Sequence, residues 1–253
     1  MSAAHLFDRL DSWLFFLILG VVALFILIMG AFFLAILAAG CWEKSRVRDF
    51  VPATPDVLPP PSPYFQAMND AARDLGFQPG GLFRQDRNSS TYRGVLGLWL
   101  SPDQKSLLCI AGGKIARTNY KKTTLVSRLT SEKSLVTMDA FGSEDLSGTR
   151  DVEVLMNADL PELNQFHLQR LARAGIAASS FAVNNLLAEF EAWNRLRADR
   201  LEANGLARYL SPDRSTWRFT PKGAWLYATT VFLTSMKKAH AQNDRANKKS
   251  PGG

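Results

Sequence analysis

Residues 13–42 read WLFFLILGVVALFILIMGAFFLAILAAGCW. The stretch carries no charged side chain, and only its end Trp rings, Cys41, Met29 and three glycines interrupt the Leu, Ile, Val, Phe and Ala run. A helix needs roughly 20 apolar residues to cross a bilayer. About 30 residues at ~1.5 Å each reach across with tilt to spare. Trp13 and Trp42 stand where amphipathic rings favour the headgroup level. The run therefore predicts one transmembrane helix over 13–42, and the rest of the chain is read as what it anchors.

The flanks set the expected topology. Residues 1–12 hold Arg9 against Asp8 and Asp11, whereas Lys44, Arg46 and Arg48 follow the helix closely. Retained Lys and Arg mark the cytoplasmic flank, so the short N-terminus is expected outside and the remainder in the cytoplasm. A cleaved signal needs a basic start and an apolar core of only ~7–15 residues, neither of which is present. A second reading starts at Ala38-Ala39-Gly40-Cys41, which resembles a bacterial lipobox and would make Cys41 the lipidated end of an outer-side lipoprotein. Palmitoylation of the same juxtamembrane Cys41 is a third. Ala31, Ala35 and Ala39 follow the small-xxx-small spacing that lets two helices approach, which implies self-association beside the lipid partner.

The chain has 253 residues and a formal charge of +7; residues 1–42 contribute −1, which leaves +8 for the rest. A basic module can sit near anionic lipid or bind nucleic acid, and the milder reading is solubility. Cys41 and Cys109 are the two cysteines, so no disulfide framework is expected.

Residues 43–62 are rich in proline, and Pro52, Pro55, Pro59, Pro60 and Pro61 favour an extended, stiff spacer. Ser62-Pro63 then opens a helix with Phe65, Met68, Ala72 and Leu75 on one face and Gly76 at its end. From Phe77 to Met156 the pattern is that of strands: Tyr92–Leu100, Ser106–Ala111, a tight turn at Gly112-Gly113, Lys114–Tyr120, Thr123–Leu129, Ser134–Ala140, and a last strand through Val152 and Val154. This implies an antiparallel meander over 63–157, one face of it covered by the leading helix.

Residues 158–236 read as a helical part. Asp159 and Glu162 have capping-box spacing ahead of a helix that Gly175 stops, and Ser179 or Ser180 starts a longer one with Val183, Leu186, Leu187, Phe190 and Trp193 inward. A hairpin turns at Ser211-Pro212-Asp213-Arg214, and Thr220-Pro221 opens a final helix with Trp225, Ala228, Phe232 and Met236 on one side. The basic tail 237–253 is expected to be disordered. The fold class is thus α+β behind a single-pass anchor.

Chemistry is harder to find. Ala111-Gly112-Gly113-Lys114 lacks the first glycine and the Ser/Thr of a phosphate loop. His5, His167 and His240 have no paired spacing and no partner cysteine, so no metal centre is expected. Cys109 lies among Leu107, Leu108 and Ile110 and reads as a buried, inert thiol. No cofactor, catalytic or metal-binding set emerges, and the chain is read as a non-catalytic interaction or sensing module, not an enzyme.

One stretch, DRLEANGLARYLSPDRSTWRFTPKGAWL, resembles the end of a winged-helix domain of the MarR type. Gly205-Leu206, Arg208, Arg214, Arg218 and Thr220-Pro221-Lys222-Gly223 stand at matching places. The resemblance implies a membrane-tethered nucleic-acid binder, with Arg195, Arg197 and Arg200 toward a major groove and Arg214 and Arg218 on a wing. It covers about 30 residues. It departs from the family where a helix-turn-helix needs a break, because residues 180–204 read as one helix.

Overall fold

The structure is a computed structural model, and it describes residues 3–42, 44–46, 50–53, 63–85, 92–115, 118–140 and 145–230. Most of the expected spacer and the whole tail 237–253 lie outside the described residues. Two compact units divide the chain: residues 1–43 with 221–253, and residues 44–220.

The first unit contains α1 (Ala3–Trp42) and α5 (221–230). Among the described residues one helix, α1, is long and apolar enough to cross a membrane, with its 20-residue stretch Phe16–Ala35 unburied. An uncharged run has no polar face to turn toward water, and its own helical hydrogen bonds satisfy the backbone.

The second unit is α+β. Its elements are β1 (Ser45–Arg46), β2 (Phe50–Pro52), α2 (Pro63–Asp74), β3 (Gln78–Gln85), β4 (Tyr92–Leu100), β5 (Leu107–Ile115), β6 (Thr118–Arg128), β7 (Ser134–Met138), β8 (Arg150–Val154), α3 (Leu160–Ala174), α4 (Leu186–Ala203), β9 (Ala207–Tyr209) and β10 (Thr216–Phe219). Strands β2 to β8 form one seven-stranded sheet in sequence order, and β1-β10-β9 form a small second sheet. Every neighbour in the large sheet is antiparallel except β7–β8, which run parallel.

Both faces of the large sheet are covered. Leu96, Leu98, Leu100, Leu107, Cys109, Val126 and Val136 face α4, through Leu186, Leu187, Phe190 and Trp193. Trp99, Leu108, Ile110 and Leu125 face α2 and α3, through Phe65, Ala72, Leu160 and Leu163. Alternate residues of each strand point to opposite faces, so a strand apolar at every position needs cover on both sides. Each fully buried Leu or Ile here contributes roughly 1.5–3 kcal/mol.

The caps form as their residues dictate. Asp159 accepts from Glu162 N at 2.8 Å, and Gly175 closes α3 at φ 63°. Gly76, at φ 76°, ends α2 with Phe77 N donating to Ala72 O at 2.9 Å.

Four local expectations are corrected. Gly112-Gly113 is extended strand, paired with Val95 and Gly94, and β5 runs on to Ile115. The final strand β8 joins in parallel, not as a meander turn, because it re-enters beside β7 after residues 139–149. Ser179 does not start α4: its N–H donates to Arg128 O, and Phe181 N to Gln104 O, so these residues are tied to the sheet and Asn185 caps α4 instead. Residues 45–46 and 50–52, read as spacer, are strands.

Candidate anion-binding site

The face of the sheet beneath α4 gathers cations from distant parts of the chain. Lys122 is in phase with Thr124 and Val126 on β6, beside Ala111 of β5. Arg150 opens β8. Trp193, Asn194 and Arg197 come from α4.

Asp145 organises the approach to β8. Its carboxylate accepts from Ser147 Oγ at 2.6 Å, from Ser147 N at 3.1 Å and from Arg150 N at 2.8 Å, while Gly148 at φ 71° lets the loop turn back. Arg197 Nε stands 3.7 Å from the same carboxylate. Burial pushes the Asp145 carboxyl up, but the Ser147 hydrogen bonds and the Arg150 and Arg197 charges outweigh it and hold it below its usual value.

Arg150 lies flat over Trp193, with its guanidinium carbon 3.5 Å from the ring centroid, and Nη2 donates to Asn194 Oδ1 at 3.3 Å. Its Nε and the Trp193 indole N–H are buried with no hydrogen-bond partner among the described residues. Lys122 is half-buried as a residue, yet desolvation of its ammonium, reinforced by Arg150 and Arg197, pulls it down to about 8. Asp139 opposes that shift, but its carboxylate is already taken by Thr123 N at 2.7 Å and Tyr64 OH at 2.8 Å. Lys122, Arg150 and Arg197 thus lie near the carboxylates of Asp145 and Asp139, a formal excess of +1 over these five groups. Cys109 sits beneath them, 5% exposed, its thiol pushed up to about 12 by burial. A raised thiol pKa disfavours the thiolate form.

This arrangement can hold an oxyanion: two forked or point cations, a free indole donor and an aromatic wall. Sequence reasoning did not single out Lys122, Asp145 or Arg150 as a set. The available signal was a lysine in phase with Val126 on a buried strand face.

The residues named from sequence are placed as follows. Arg197 points inward to Asp145 and packs over Trp217 at 5.8 Å. Arg200 pairs with Glu132. Arg214 donates to Asp199 at 3.0 Å and Glu202 at 2.7 Å and covers Tyr209. Arg195 and Arg218 are half-buried, and Arg218 lies opposite Arg208 in the β9–β10 hairpin. Helices α3 and α4 cover opposite faces of the sheet, so they do not form the packed pair of a helix-turn-helix. Cys41 is half-buried near the end of α1. Ala31 and Ala35 are exposed, and the Ala39 side chain lies outside the described residues.

A separate polar chain lies on the other sheet face. His167 Nε2 meets Ser127 Oγ at 3.0 Å and Nδ1 meets Thr137 Oγ1 at 2.9 Å; Ser106 Oγ extends the chain to Ser127 at 2.8 Å. Arg170 donates to Thr137 Oγ1 at 2.9 Å and to Asp151 Oδ1 at 2.9 Å. Arg170 donates to Thr137 Oγ1, and both ring nitrogens of His167 have a hydroxyl partner, so the imidazole is satisfied in its neutral form. His167, Ser127 and Thr137 are 0% exposed, so this Ser–His contact fastens α3 to the sheet and offers no path to a substrate.

Among the described residues no three or more His, Cys, Asp or Glu converge to hold a metal. No protein family, curated protein or solved structure matches the chain.

Proposed function

We propose that the protein is a membrane-anchored, non-catalytic binding module that senses an anion, a carboxylate or phosphate group, with Lys122, Arg150 and the Trp193 indole as its recognition set. The observation that carries this reading is the buried Arg150 Nε and Trp193 Nε1 without partners beside Lys122. Buried donors of this kind are costly unless a ligand or water meets them. The Lys44, Arg46 and Arg48 flank supports a cytoplasmic side for the module, where a reporter fused after Gly253 should be active.

The test is thermal unfolding of the full chain in dodecyl maltoside with 10 mM phosphate or succinate, against chloride at equal ionic strength. A ligand at 100 times its Kd stabilises by about 2.7 kcal/mol, which raises the Tm by roughly 5–10 °C. The shift should vanish in Arg150→Gln and Lys122→Gln. Equal Tm values in all anions would remove the reading. The nucleic-acid alternative has less support, since Arg197, Arg200 and Arg214 are engaged by carboxylates of the chain itself.

A further inference from the structure

The final helix was read from sequence as part of the soluble module, yet it belongs with the anchor. Residues 221–253 group with α1, not with the sheets. From Gly223 to Met236 the chain reads GAWLYATTVFLTSM, without a charge, between Lys222 and the pair Lys237-Lys238. The ten described residues of α5, 221–230, measure ~15 Å.

We propose that α5 is a second membrane-embedded helix, seated on α1, so that the chain enters the bilayer near both of its ends. On α1, Met29, Phe33, Leu37 and Cys41 are half-buried at a spacing of four residues, while Phe32, Leu34 and the residues of 16–28 are exposed. Phe33 belongs to that covered stripe, and it meets the Trp225 ring edge-on at 5.2 Å. Ala224 and Ala228 of α5 are 0% exposed, one turn apart, the small-residue spacing that permits close helix approach.

The uncovered surface of α5 does not suit water. Trp225 is 53% exposed and Leu226 36%, beside an α1 surface of bare Leu, Ile, Val and Phe. Thr229 returns its hydroxyl to the Trp225 and Leu226 carbonyls at 3.0 and 2.9 Å, which satisfies it without solvent. The entry also fits the strands. β1, which follows α1 after two residues, pairs with β10, which ends just before Thr220-Pro221.

The experiment is nitroxide accessibility in phosphatidylcholine/phosphatidylglycerol vesicles, using full chains with Cys41→Ala and Cys109→Ala that retain membrane association. A label at Leu226→Cys should collide with oxygen several-fold more readily than with a water-soluble nickel chelate. A label at Leu210→Cys, 37% exposed in the second unit, should show the reverse. Higher nickel accessibility at 226 overturns the proposal, and so does low accessibility to both reagents, which would mean protein covers that side. If a labelled chain does not insert, the unlabelled cysteine variants are read with a membrane-impermeant maleimide. Protection at 226 that detergent releases supports the proposal, and labelling at the rate of 210 refutes it.

Discussion

Acid should loosen the contact between α3 and the sheet through one residue, His167. Burial, together with the nearby Arg170 charge, lowers its imidazole from 6.5 to about 3. The folded value lies below the unfolded one, so the unfolded chain takes up the extra proton first. This contribution is intact above about pH 6.5 and is lost as pH falls toward 3. At pH 4.5 the unfolded imidazole is two units below its pKa and the folded one is still neutral, which corresponds to about 2.7 kcal/mol at ~1.36 kcal/mol per unit. That is a visible part of a stability of ~5–15 kcal/mol. The assay is urea unfolding of the full chain in dodecyl maltoside at pH 7 and pH 4.5, wild type beside His167→Gln. Carboxylates titrate in both proteins and cancel in the difference, so wild type should lose about 2–3 kcal/mol more than the variant. Equal losses in the two proteins would refute the neutral, buried histidine and the hydrogen-bond chain built on it.

Other perturbations have equally definite outcomes. Lys122 titrates near 8, so phosphate affinity should fall as pH rises from 7 to 9 and stay flat in Lys122→Arg; calorimetric titration across that range reads it. Gly81→Ala should cost about 2 kcal/mol in urea unfolding, because φ is 129° there and the new Cβ would stand 2.9 Å from the Phe83 ring. Asp159→Ala removes the cap on Glu162 N and should cost about 1 kcal/mol, while Asp159→Ser should restore most of it.

Local chemistry made part of this protein legible in its sequence. An uncharged run of about 30 residues is a helix long and apolar enough to cross a membrane, whatever follows it. Asp159 and Gly175 bound α3, Gly76 ends α2, and Ser211-Pro212-Asp213-Arg214 turns the β9–β10 hairpin, because each satisfies or releases backbone groups within a few residues of itself. Gly112-Gly113 shows the limit: the same pair suits a tight turn or a strand, and pairing with Gly94 and Val95 on one side and Tyr120 and Lys121 on the other decided for the strand. Partners far along the chain likewise decided the parallel entry of β8, the recruitment of residues 45–46 and 50–52 into sheets, and the separation of α3 and α4 onto opposite faces.

The candidate site belongs wholly to that second category. Lys122, Asp145, Arg150, Trp193 and Arg197 carry no shared motif; Arg197 reads as a groove-facing arginine, and each of the others alone as a solvated charge or a packed ring. They become a site because strand register sets Lys122 inward, the Asp145 loop delivers Arg150 at the start of β8, and α4 lies across both. Charge clustering is a property of distances in space, and only the packed sheet and helix supply them.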